Sequence, residues 1–239
     1  MTTPRDNSRP DGYYSELVGR YQKSIANFRA MANATPPPAH RTRLLLSILH
    51  DELEAWIASY SAGASLESLK ISFANVVDAT VDYYAAPKRE PVNFAYLTDY
   101  IWALWTVSIA ILVEVDDAAF TKLVAAINQP RKDYVYDRLV RFRMPTLLVH
   151  RDAAQPKSYE KLRNALRTND VAERSKLILE FIKKYYPSIK KTYFMDNDDP
   201  GRFGLWLFEL AAVVKALGID DAAFATDRHY PRDWVRGAE

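Results

Sequence analysis

The chain has 239 residues, of which 49% are hydrophobic and 26% are charged, a composition typical of a folded globular protein rather than a disordered one. It contains no cysteine, which excludes disulfides, thiolate metal sites and cysteine nucleophiles. Its 7 glycines are few for a protein built on tight hairpins, because such turns need residues that tolerate positive φ. These numbers favour an all-α fold, a multi-helix bundle.

The net charge of +2 conceals a division along the chain. Residues 1–120 contain 10 basic and 14 acidic side chains, whereas residues 121–239 contain 22 and 16. The surplus is greatest over residues 131–191, with 16 basic and 7 acidic side chains. A basic surplus of this size attracts an acidic protein or a nucleic acid. We therefore expect two functional faces of different charge.

Apolar residues spaced three and four apart predict three helices in the first part of the chain. Their predicted ranges are 13–32, 41–61 and 66 to about 84. Gly63 stands where a left-handed residue commonly ends a helix, and Ser65 is a suitable N-cap for the helix that follows.

A fourth helix is predicted over residues 96–114. Its apolar run, residues 101–113, is shorter than the roughly 20 residues of a membrane-spanning helix, so we expect a buried core helix. Asp116 or Asp117 is a suitable cap for a fifth helix, which must end before Pro130.

The second part of the chain is less regular. Helices are predicted over 158–167, 171–186 and 203–217, and Asp220 or Asp221 should cap a short last helix. Residues 133–143 form a short segment without a firm assignment, residues 145–152 contain a predicted brief strand, and residues 195–201 form a predicted turn. We expect two helical halves, 1–128 and 129–239, packed as one globular unit. The polar first 11 residues predict neither a signal peptide nor an anchor, hence a cytoplasmic protein without membrane contact.

A shift of 104 positions aligns Trp102 with Trp206 and the string Asp116–Phe120 with Asp220–Phe224. Both strings, DDAAF, follow an apolar helix. The match predicts either an internally duplicated helical layout or a favourable corner reached twice.

Two stretches carry a family resemblance. Residues 58–66, with Tyr60 and Gly63, resemble the YS-x-G turn in the N-terminal half of PoNi-type immunity proteins. Residues 203–233 are similar to the C-terminal signature of that family, a W-x-x-E segment, an Asp-rich corner and a closing Y-P-x-D. The residues matching this signature are Trp206, Glu209, Asp220, Tyr230 and Pro231.

The resemblance implies an all-helical bacterial antitoxin from interbacterial competition, associated with type VI secretion, which binds a cognate toxin domain. In the namesake cases the toxin is a DNase, and family members can be homodimers. Two departures bear on this. Leu207 and Leu210 stand where family members have small residues, and the charge of +2 is unusual for an inhibitor of a basic nuclease cleft.

No catalytic constellation emerges from the sequence. Glu209 lies in an apolar helix and must be paired or neutral there, so we expect it to accept hydrogen bonds from the Tyr230-Pro231 segment or from a helix end. His50 and Glu54 are an i, i+4 pair without further ligands, and residues 196–201 imitate a calcium loop but lack its spacing. We expect no enzyme activity, no metal and no cofactor.

The leading hypothesis is an inhibitor that occludes the active site or substrate path of its toxin. An acidic docking face would use side chains expected to be exposed on the helices flanking the YS-x-G turn: Asp51, Glu52, Glu54, Asp78 and Asp82. An acidic toxin would instead meet Lys183, Lys184, Lys190 and Lys191. The alternative function is a helical nucleic-acid-binding regulator using the basic segment 131–191.

Overall fold

The computed structural model describes residues 3–195 and 199–237. This described part contains ten helices and no β-strand, which confirms the all-α fold. The helices are α1 (Tyr13–Asn33), α2 (Pro38–Ser61), α3 (Leu66–Ala85), α4 (Leu97–Leu112), α5 (Asp117–Ile127), α6 (Tyr134–Arg143), α7 (Pro156–Arg167), α8 (Val171–Ile189), α9 (Phe208–Leu217) and α10 (Asp233–Arg236).

The chain divides into two compact units that are not contiguous in sequence. Unit 1 comprises Met1–Pro91 and Val113–Ile127, and unit 2 comprises Val92–Leu112 and Asn128–Glu239. Helix α4 therefore belongs to unit 2, although α3 and α5 on either side of it in the sequence belong to unit 1. The division into halves at 128/129 stays a prediction.

Helix α2 is the central element of unit 1, since it packs against both α1 and α3, and α3 packs in turn against α5. Its inner residues, such as Leu53 and Ala58, are completely buried. The Trp56 indole N–H donates to the carbonyl oxygen of Leu69 at 2.9 Å and its ring packs edge-on against Phe73. Two neighbours cover α2, so its apolar residues occupy more than one stripe.

The corner between α2 and α3 follows the sequence prediction. Gly63 has a φ of 88°, which is the left-handed region that glycine tolerates. The Ser65 hydroxyl accepts a hydrogen bond from the Ser68 backbone N–H at 3.1 Å, which satisfies one of the free N–H groups at the start of α3. Both predictions for this corner are confirmed.

In unit 2, α4 packs against α6 and α9, and α7 packs against α8. Residues 103–112 of α4 are all buried, as the apolar run predicts. No helix within the described residues is long and apolar enough to cross a membrane.

Two predicted elements of unit 2 are wrong. Residues 145–152 form turns and irregular backbone instead of a strand, because the backbone N–H of His150 donates to Asp137 at 2.8 Å rather than to a neighbouring strand. The helix predicted from residue 203 begins at Phe208, because the Leu207 N–H donates to the His229 carbonyl oxygen at 2.8 Å. Helix α8 continues beyond the predicted end, through Pro187.

The helix predicted after Asp220 is also wrong, since turns occupy residues 222–226. The equivalent Asp116 accepts a hydrogen bond from the Ala119 N–H at the start of α5, whereas Asp220 accepts one from Ala222 in a turn. The same five residues thus form different elements, so the duplicated unit is not reproduced. In the predicted turn at 195–201, residues 196–198 lie outside the described residues.

Replacement of Gly63 by alanine should destabilise the protein by more than the free-energy cost of placing alanine at a positive φ. A Cβ at this position would lie 2.2 Å from the Thr3 carbonyl oxygen, so backbone must shift. We expect Gly63→Ala to lower the free energy of unfolding by roughly 2 kcal/mol or more, against about 1 kcal/mol for a positive φ alone. Urea unfolding measures both.

Gly12→Ala is the matched control. Gly12 has a φ of 81°, and no atom lies within 4 Å of a Cβ added there. Gly12→Ala therefore has the free-energy cost of the positive φ but no steric clash. Equal losses for the two variants would show that residues near Thr3 do not occupy this position in solution.

Candidate functional site

The YS-x-G turn serves as the docking site for the N-terminal segment of unit 1. The Arg5 guanidinium donates to the carbonyl oxygens of Tyr60 at 3.1 Å and Ala64 at 2.7 Å, and lies 4.5 Å from the centre of the Tyr60 ring. The Arg5 backbone N–H donates to Ser61 at 2.9 Å. Arg5 could not be predicted as a contact residue from the sequence, since nothing in a polar N-terminal segment indicates a distant carbonyl partner.

Two of the five predicted acidic binding residues are buried. Glu54 is completely buried and accepts a hydrogen bond from the Tyr21 hydroxyl. Glu52 is also buried and pairs with the Arg29 guanidinium at 2.7 Å, while burial raises its pKa. The expectation of exposure was wrong for both, because α1 covers this side of α2.

The His50 and Glu54 pair gains no third ligand. Burial lowers the pKa of His50 to about 4, so its imidazole is neutral near pH 7. Asp51, beside it, is half-buried. No group of three or more His, Asp and Glu suited to a metal ion occurs among the residues that the structure describes.

Asp78 and Asp82, by contrast, are exposed on α3. They line one of two adjoining cavities, of about 290 and 360 Å³, that share Arg29 and run along α2 between α1 and α3. Arg41 of α2 lines the same cavity as the two aspartates, but neither forms an ion pair with it. Of the predicted acidic set, these two remain free to meet a partner.

All four predicted lysines of the basic face are exposed. Lys184 interacts electrostatically with Glu180, whose carboxylate forms its ion pair with Lys161. They lie in the last turns of α8 and just after it: Lys183, Lys184, Lys190 and Lys191. Other basic side chains of the segment are already engaged, for example Lys161 with Glu180 and Arg163 with Glu160. Four exposed lysines therefore lie at one end of α8, while other basic residues of the segment, such as Arg131 and Lys157, are exposed elsewhere.

Glu209 is a completely buried carboxylate in the first turn of α9. It accepts hydrogen bonds from the Trp105 indole N–H at 3.1 Å and the Tyr159 hydroxyl at 3.0 Å. Of the two predicted sources of hydrogen bonds, Tyr230 is wrong, since its hydroxyl donates to Asp221 at 3.1 Å. The alternative, a helix end, agrees with the position of Glu209 in the first turn of α9 and with a backbone hydrogen bond to its carboxylate. Burial raises the pKa of Glu209 to about 7, although the three surrounding hydroxyl and indole donors oppose this shift.

Two further buried carboxylates hold the loop that follows α6. Asp133 caps α6 and accepts from the Tyr100 hydroxyl at 2.9 Å and the Ala154 N–H at 2.8 Å. Asp137 accepts from the backbone N–H groups of residues 131 and 150. Burial raises the pKa of both. An Asp before a helix signals the cap, but the loop contacts have no signal in the sequence.

These carboxylates accept hydrogen bonds from donors within unit 2 and so connect its helices and loops. The residues of the C-terminal signature have the same character. Trp206, Tyr230 and Pro231 are buried, and Asp221 pairs with Arg236, whereas Asp220 is exposed. The exposed charged surfaces of α3 and α8 are the candidates for binding.

Comparison with known protein families places the chain among immunity proteins. The family described as "PoNe immunity protein (PoNi), N-terminal" matches residues 5–125, and "PoNe immunity proteins (PoNi), C-terminal" matches residues 131–234. The chain belongs to the PoNi family of PoNe immunity proteins.

A crystal structure of protein PA2201 from Pseudomonas aeruginosa has the same fold, with a TM-score of 0.82 over 99% of this chain and 90% of that one. The two sequences are 15% identical, so this similarity concerns the fold alone. No curated protein matches the sequence.

Replacement of Glu209 by glutamine should remove part of the pH dependence of stability. The folded pKa of about 7 lies above the unfolded value, so the folded state holds a proton that the unfolded state releases. Stability from this group is therefore present at low pH and lost as the pH rises towards 7. The loss is roughly 2 to 3 kcal/mol between pH 5 and 8, and Glu209→Gln should not show it.

Urea unfolding at pH 5 and pH 8 measures the difference. Glu16→Gln, which removes an exposed carboxylate of α1, is the control. Identical pH profiles for wild type and Glu209→Gln would contradict the assignment of a buried, proton-binding carboxylate.

Proposed function

We propose that this protein is a stoichiometric immunity protein that binds a cognate antibacterial toxin domain and neutralises it by covering its active site or substrate path. The observation that carries the proposal is the match of both PoNi models, in order, over residues 5–125 and 131–234. The toxin we propose is a nuclease, on the resemblance to the namesake family. Inhibition of this kind requires a surface and no catalysis.

The architecture supports inhibition by a preformed surface. Helices α2 and α4 are largely buried, and fixed elements lose little conformational entropy when a partner binds. Charged side chains without internal partners, such as Asp78 and Lys183, speed association with a partner of opposite charge. The buried carboxylates, including Glu209, are occupied by internal donors, which argues against enzymatic use.

We place this activity in the cytoplasm of a bacterial cell that takes part in type VI interbacterial competition. There the protein would meet toxin made by its own cell or delivered by a sibling. Homodimer formation is a further prediction, measured by sedimentation of the purified chain.

Co-expression tests the proposal. Cells that produce the toxin domain encoded next to this gene should stop growing, and the protein should restore their growth through a complex of fixed stoichiometry. Size-exclusion chromatography of the purified pair measures that complex. Growth arrest that persists in the presence of the soluble protein would contradict an immunity function.

A nucleic-acid-binding regulator is the second candidate, favoured by the four exposed lysines at the end of α8. Nearby, the exposed Tyr193 carries the Arg202 guanidinium 5.4 Å from its ring centre, and aromatic and basic side chains together bind single strands. Binding should be strongest near 50 mM salt and fall steeply above it.

Lys183→Glu/Lys184→Glu should abolish that binding, whereas Lys122→Glu, a change at an exposed lysine of α5 in unit 1, should not. Fluorescence anisotropy with labelled single- and double-stranded oligonucleotides measures it. Absence of binding at low salt rules the regulator out.

A further inference from the structure

The outer face of α3 combines an exposed apolar residue with acidic side chains. Glu67, Ile71, Asp78 and Asp82 are separated by four, seven and four residues, a spacing that places them on one side of a helix. Ile71 is 70% exposed, the largest value among the exposed large hydrophobic residues. We call these four residues the α3 face.

The charges of the α3 face are not neutralised within the protein. Glu67, Asp78 and Asp82 are exposed, and none takes part in an ion pair. The single basic residue of α3, Lys70, pairs at 3.5 Å with Glu114, which lies in the turn between α4 and α5. The face therefore presents three carboxylates around one isoleucine.

The helix that carries this face is held firmly. Its inner side places Leu69, Phe73 and Val76 in the core of unit 1, each no more than 1% exposed. Asp78 and Asp82 also line the smaller of the two cavities along α2. The α3 face therefore borders a groove formed by these cavities and is not part of a flat surface. A rigid projecting helix beside a groove offers shape complementarity to a protein partner.

We infer that the α3 face docks on a basic surface of the toxin domain, with Ile71 in an apolar socket and Lys or Arg side chains around it. This inference rests on the proposed function and specifies which surface performs it. The partner's chemistry follows from complementarity, since an exposed apolar residue ringed by like charges gains most from a socket with an opposite rim. A second copy of the same face would be repelled by its own three carboxylates.

The basic end of α8 is a weaker candidate for the same role. Its exposed apolar residue, Leu179, is 45% exposed, and nearby lysines are partly satisfied, since Lys176 lies 3.6 Å from Glu173. Its four exposed lysines therefore have no neighbouring apolar residue on α8 that is as exposed as Ile71.

Binding of the purified toxin domain encoded next to this gene, measured by surface plasmon resonance, tests the inference. Ile71→Ala should weaken affinity at least tenfold, as expected for loss of a central anchor. Asp78→Lys/Asp82→Lys should slow association about tenfold or more at low salt, with less effect at high salt, because long-range attraction is screened. Circular dichroism should show unchanged folding, since all three positions are exposed.

Asp11→Lys/Glu16→Lys is the matched control, because it makes the same change in net charge at exposed positions of unit 1 outside the groove. Asp78→Asn/Asp82→Asn repeats the test with a smaller charge change. If the wild type binds and protects cells but the α3 variants bind equally well, the inference is overturned while the immunity function stands. If the wild type neither binds nor protects, both fail.

Discussion

The organisation of unit 2 depends on a carboxylate that is buried without a basic partner. Glu209 must accept hydrogen bonds from neutral donors, because moving a carboxylate from water into the protein interior without such bonds costs on the order of several kcal/mol. Trp105 of α4 and Tyr159 of α7 supply these donors, so one residue ties α9 to two other helices. Tyr185 of α8 lies 3.0 Å from the Tyr159 hydroxyl and extends the network.

Aromatic ring contacts connect the hydrogen-bond network of Glu209 to the loop after α6. The rings of Tyr100 and Tyr159 lie 4.8 Å apart, and Tyr100 donates to Asp133, which caps α6 and holds Ala154. Buried polar networks of this kind specify one packing when every member is satisfied. In the PoNi family signature, the Glu of W-x-x-E therefore has an architectural role in this chain.

Unit 1 is organised around α2, which packs against two other helices. With α1 and α3 on α2, the polar residues of α2 at Glu52 and Glu54 are covered and paired, and a groove remains between the outer helices. The YS-x-G turn is occupied by Arg5, so this motif fixes the N-terminal segment rather than offering a binding site. Exposed charged side chains on α3 in unit 1 and on α8 in unit 2 are among those left for a partner. An immunity protein can use such surfaces without a reactive group.

The sequence predicts most of the helices, since apolar spacing, Gly63, Ser65 and the run in α4 are local signals that act within a few residues. It also determined the family, because the two motifs lie in fixed order. It did not determine which carboxylates are exposed. Glu52 and Asp78 look alike in a helical pattern, and only the position of α1 covers one and leaves the other free.

Elements made by long-range hydrogen bonds were decided by the tertiary structure. The start of α9 depends on the bond from Leu207 to His229, and the loop before α7 depends on Asp133 and Asp137. The two DDAAF strings show the same limit, since identical residues form a helix in one place and turns in the other. A group can form a hydrogen bond with a residue distant in the sequence only after folding brings the two together, so no local sequence pattern predicts that bond.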